Sequence, residues 1–116
     1  SLAGSVLWAA PEVLRQTPYD GKADVYSFGV LLYELAVRSP PYAGISPNDV
    51  GTRVAHGSLR PTPLLHTSQS YRDLSERCLS YNPDMRPHFH EIVRILKAMI
   101  AANDCLWPYP PPPVRM

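Results

Sequence analysis

The chain has 116 residues, enough for one domain. Eleven Lys and Arg against ten Asp and Glu leave a formal net charge of +1, which favours neither nucleic acid nor an anionic membrane as a partner. Hydrophobic residues make up 45%, an ordinary core content, and the two cysteines, Cys78 and Cys105, form neither a disulfide framework nor a metal-ligand spacing, so a reducing, cytoplasmic setting is expected. The longest apolar stretch, Phe28 to Val37, carries Tyr33 and Glu34 and is too short to span a bilayer. No signal-peptide pattern is visible in a chain that begins at Ser1 rather than Met.

Taken in chain order, the first helical signal is Ala10-Pro11-Glu12, shortly after Trp8. Proline lacks an N–H and has its φ fixed, which suits the first helical position, and the Glu12 carboxylate then faces the positive helix end. From Asp20 to Arg38, Val25, Phe28, Gly29, Leu32 and Leu35 recur at helical spacing. Val30, Leu31 and Ala36 fill other faces, so this helix is expected to be central and buried, capped by Asp20 and stopped before Pro40-Pro41. With apolar residues on nearly every side, it should leave a large exposed patch and promote self-association.

Ser46-Pro47-Asn48-Asp49 predicts a third helix running to about Ala55 and ending at Gly57. Residues 58–68 read as loop, broken by Pro61 and Pro63. Ser70-Tyr71-Arg72-Asp73 predicts a fourth helix to Ser80, with Leu74, Cys78 and Tyr81 inward, followed by a turn at Asn82-Pro83-Asp84. A last helix follows Pro87, with Phe89, Ile92, Val93, Leu96 and Ile100 on its inner face. The expected fold is all-α, a short helix plus four longer ones, over residues 1–103.

Residues 104–116 form a proline-rich tail, with five prolines between Pro108 and Pro113. It should be extended or disordered and should not pack on the helices. Its Pro-x-x-Pro spacing could engage an SH3-type or WW-type domain, although short motifs of this kind arise from composition alone. His88 and His90 invite a metal reading. Residues two apart on a helix do not share a face and no third ligand is evident, so no metal site is expected.

"GSVLWAAPEVL", "YDGKADVYSFGVLLYEL", "PPY" and "LSERCLSYNPDMRPHFHEIVRIL" stand in an order and spacing that resembles the C-terminal part of the larger lobe of a protein kinase catalytic domain. The resemblance covers about Gly4 to Ala101 and is nearest to the tyrosine kinase-like and tyrosine kinase groups. It implies that Ala10, Pro11, Glu12, Asp24, Gly29 and Arg86 are structural motif residues. Glu12 would pair with Arg86, and Asp24 would hold the backbone of a catalytic loop. Without the resemblance, Glu12 and Arg86 would read as two solvated charges. Gly4, Ser5 and Trp8 would lie on the substrate side. Ser5 keeps the hydroxyl of the Gly-Thr usual in serine/threonine kinases, and Trp8 is the aromatic of the tyrosine kinase-like branches. Together they imply a tyrosine kinase-like enzyme acting on Ser/Thr rather than Tyr. His88 replaces the Ser or Thr usual before the last helix and should cap it poorly.

The sequence has no Gly-rich phosphate loop, no lysine in a Val-Ala-Ile-Lys context, no His-Arg-Asp and no Asp-Phe-Gly. The resemblance therefore implies a fragment with no catalytic residue of its own. Its full-length parent would use ATP and Mg, act on protein substrates, and supply the preceding part of the kinase domain as this segment's partner. The alternative is a pseudokinase-like or scaffold module without catalysis.

Overall fold

The computed structural model describes residues 6–104. Gly4, Ser5, Cys105 and the proline-rich segment, with the expectations placed on them, lie outside the described residues. Within those residues there are five α-helices, two short 3-10 turns (Val6–Trp8 and Pro83–Met85) and no strand. The all-α expectation holds.

Helix α1, Pro11–Leu14, follows an extended Ala10 and places Pro11 in its first turn. Helix α2, Lys22–Val37, begins later than Asp20. Gly21, itself in a helical conformation, occupies the capping position, and the Asp20 carboxylate instead accepts from the Lys22 N–H at 2.9 Å. The helix ends where Arg38 turns left-handed at φ 58°, before the two prolines are reached. Helix α3, Pro47–Ala55, is capped by Ser46, whose hydroxyl accepts from the Asp49 N–H at 3.3 Å. Gly57, at φ +76°, turns the chain away after it.

Helix α4, Gln69–Cys78, is capped by Ser68 and not by Ser70, which lies inside it. The Ser68 hydroxyl accepts from the Tyr71 N–H at 3.3 Å. Capping from Ser68 rather than Ser70 moves the start of the helix, and Tyr71, on the same face as Leu74 and Cys78, is buried with its hydroxyl donating to the Leu32 carbonyl at 2.5 Å. Tyr81, expected inward, lies beyond the helix and is 45% exposed. Helix α5, Phe89–Ala101, starts at His88, which makes no side-chain cap bond.

Helix α2 is the axis. Val25 and Leu32 share one core with Leu74 and Cys78 of α4 and Ile92 and Met99 of α5. Ala23, Tyr26 and Val30 share a second core with Ala10, Val50, Val54 and Leu79. Gly29 lies where α2 crosses α4, and a Cβ there would sit 2.8 Å from Cys78 Cβ. The crossing distance therefore requires glycine. The helix is not buried on every side, since Leu31 and Leu35 are exposed. The inner face of α5 also differs from expectation. Ile92 and Met99 are buried, with Ile95 and Leu96 packed beside them, whereas Phe89, Val93 and Ile100 are exposed. Phe89 still meets the edge of Phe28, with ring centroids 5.9 Å apart.

Candidate functional site at the Ala-Pro-Glu segment

Arg86 is the centre of the site. Asn82 accepts from the Asp84 N–H and opens the short turn Pro83–Met85, after which Arg86 is extended, as a residue before proline tends to be. Its side chain is fully buried. A guanidinium has five N–H donors, and five bonds are made. Nε donates to Ser80 O at 2.8 Å. Nη1 donates to Glu12 Oε2 at 2.6 Å and to Lys22 O at 2.9 Å. Nη2 donates to Glu12 Oε1 at 2.9 Å and to Tyr81 O at 3.2 Å. The forked pair with Glu12 joins residues 74 apart in sequence. The guanidinium also lies 5.1 Å from the centre of the buried Tyr26 ring.

Lys22 completes the junction from the opposite direction. Its Nζ donates to Arg86 O at 2.7 Å, while its own carbonyl receives Arg86 Nη1. The start of α2 is thus fastened to the loop before α5 by two reciprocal bonds. Burial pushes the Glu12 carboxyl up. The bonds and charge of Arg86, a backbone hydrogen bond and the charge of Arg15 more than offset this and hold it below its ordinary value. Burial pushes the Tyr26 phenol up, despite the positive charge of Arg86 beside it.

On the other side of Ala-Pro-Glu, Trp8 Nε1 donates to Glu34 Oε1 at 2.6 Å, and the Trp8 carbonyl accepts from the Ser27 hydroxyl at 2.8 Å. Both partners are on α2, so the segment that carries Trp8 is fixed along this helix. Asp24 is exposed on the same helix. It borders a cavity of about 300 Å³ lined also by Trp8, Val13, Tyr19 and Ser27. The structure therefore brings Ala10, Pro11, Glu12 and Arg86 together around the start of α2 and lays Trp8 along the same helix, with its indole on Glu34 near the far end. It places Asp24 on that helix at the edge of the cavity and leaves Gly29 in the core as a packing residue. Sequence reasoning missed Glu34 and Lys22. A lone glutamate in an apolar run was the available signal for Glu34, while Lys22 gave none.

His88 and His90 do meet, with near-parallel rings whose centroids are 5.4 Å apart, because His88 precedes the helix rather than belonging to it. Stacked rings do not converge their nitrogens on one point. Among the described residues no three His, Cys, Asp or Glu gather where a metal ion could be held. No described helix is long and apolar enough to cross a membrane.

The pairing of Glu12 with Arg86 that the resemblance implied is formed here. Residues 2–96 match the family model of the protein tyrosine and serine/threonine kinases, and the chain belongs to that family. It is 42% identical over 96 residues to the probable serine/threonine-protein kinase drkC of Dictyostelium discoideum, covering 83% of this chain and 13% of that one. It is 36% identical over 97 residues to the serine/threonine-protein kinase STY17 of Arabidopsis thaliana, covering 84% of this chain and 17% of that one. The serine/threonine/tyrosine-protein kinase HT1 of the same plant is 38% identical over 94 residues, covering 81% of this chain and 24% of that one. The chain thus spans well under a third of the length of these relatives.

Proposed function

We propose that this chain is the substrate-side helical end of a kinase domain of the tyrosine kinase-like group, within a protein that transfers the γ-phosphate of ATP to Ser or Thr hydroxyls. The observation that carries the reading is the Arg86 junction. Five hydrogen bonds tie the Glu12 carboxylate, the start of α2 and the loop before α5 into one unit. Such a unit fixes the segment carrying Trp8 relative to whatever binds beside it, and phosphoryl transfer depends above all on positioning. Relatives named as serine/threonine kinases support the choice of hydroxyl. Asp24 stands ready on α2 to accept from a loop that precedes this segment in the domain. Nucleotide and metal would be gripped by motifs that this sequence does not contain, so the chain by itself is expected to turn over no ATP.

The test is a chimera. The matching segment of STY17 is replaced by residues 2–96 of this chain, and phosphorylation of Ser, Thr and Tyr peptides is followed. The reading predicts Ser/Thr phosphorylation by the chimera and none by this chain alone. A folded chimera without activity, or turnover by the isolated chain, would refute it.

A further inference from the structure

Three segments distant in sequence meet at the hydroxyl of Tyr81. Arg15, just beyond α1, donates from Nη1 to Ala55 O at 3.1 Å and to the Tyr81 hydroxyl at 2.5 Å. The Tyr81 O–H donates in turn to Ala55 O at 3.0 Å. The Arg15 guanidinium lies 5.0 Å from the Tyr81 ring centre. The ring rests on Gly57, where a Cβ would come within 2.9 Å of it. Ala55 is the last residue of α3, and its carbonyl is among those that a helix end leaves without an intrahelical partner. The phenol therefore finishes α3 and fastens it to the end of α1. All of this happens at the surface, with Tyr81 45% exposed.

We propose that Tyr81 is a phosphorylation site whose modification unlatches the last turn of α3 from α1. The phenolic oxygen attacks the γ-phosphorus of a nucleoside triphosphate held by a separate tyrosine kinase. The new O–P bond forms, the bond from that phosphorus to its bridging oxygen breaks, the diphosphate leaves, and the phenolic proton passes to the base of that kinase. The ester oxygen then has no hydrogen to give Ala55. Its added negative charge faces the carbonyl end of α3, where anions are unfavourable. Arg15 is drawn to the phosphate by a charge-assisted bond, and Ala55 loses both of its donors. Val50 and Val54 stay in the core, so the loosening is confined to the amides of His56, Gly57 and Ser58, which bond to Thr52, Val54 and Arg53.

Exposure alone would favour Tyr19, which is 65% exposed and serves as the internal comparison. The full chain is treated with ATP and a purified broad-specificity tyrosine kinase, phosphate is located by mass spectrometry, and amide exchange is compared with the untreated chain. The expected result is phosphate on Tyr81 and roughly tenfold faster exchange at residues 56–58, with residues 92–99 unchanged. Tyr81→Phe, which keeps the ring on Gly57, should speed exchange at the same three amides without modification. Phosphate on Tyr19 with none on Tyr81 would overturn the site. Unchanged exchange at residues 56–58, in either the modified chain or the variant, would overturn the latch.

Discussion

Two arginine–glutamate pairs among the described residues differ in almost everything but chemistry. Arg86 and Glu12 meet at 2.6 Å with side chains 0% and 5% exposed, whereas Arg77 and Glu91 meet at 3.0 Å with side chains 44% and 29% exposed. The buried arginine spends all its donors and binds three carbonyls besides its carboxylate. The exposed one makes a single bond to its partner, bridging α4 and α5 over a gap of only 14 residues. The difference teaches that an ion pair fixes structure when its loss leaves a charge and several main-chain groups stranded together. Where water stands ready to replace either partner, the pair decides little.

Breaking the buried pair should have the largest effect. Arg86→Ala strands Glu12 and three carbonyls, and should cost about 3–5 kcal/mol in urea unfolding. Arg86→Lys should recover little of this, because three donors on a flexible stem cannot reproduce five in a rigid fork. A neutral contact of comparable depth gives a scale. Gly29→Ala, forcing a methyl to 2.8 Å from Cys78 Cβ, should cost about 1–3 kcal/mol by the same measurement.

The pH dependence sharpens the contrast. The folded Glu12 carboxyl lies below its ordinary value of 4.5, so its contribution is fully present above that value. It is lost as pH falls through the lowered folded value. Unfolding midpoints measured from pH 7 to pH 3 should fall steeply for the native chain and less for Glu12→Gln. The Arg77 bond likewise holds the Glu91 carboxyl low, but that group is in water, and its share should disappear in added salt.

At the small end, His88→Ser should stabilise α5 by about 1 kcal/mol, since His88 has the backbone of a cap and no cap bond. Arg77→Ala should move the thermal midpoint least of all, and not at all at high salt.

Much of this architecture was legible in the sequence, for reasons that can be named. Pro11, Ser46-Pro47 and the apolar run of α2 are local signals, and each helix forms about where they place it. Arg86 and Glu12 were paired only through the resemblance of their motifs, because nothing local links residues 74 apart. Errors arose where local signals were degenerate. Ser68 and Ser70 are both able caps, and the helix starts from Ser68. In α5, apolar residues occupy so much of the circumference that the buried stripe is set by what α2 and α4 present. The result is Ile92 and Met99 inside, with Phe89 and Ile100 outside. Glu34, Lys22 and the Arg15–Tyr81–Ala55 contact became visible only when the helices were assembled, since each needs a partner supplied from a distant segment.

The central claim is that Glu12 and Arg86 act as one buried unit. A double-mutant cycle in urea tests it most directly, comparing Glu12→Ala, Arg86→Ala and the pair together. Coupling of about 2–3 kcal/mol, with the double variant scarcely less stable than Arg86→Ala alone, is the predicted result. Single effects that simply add would contradict the account.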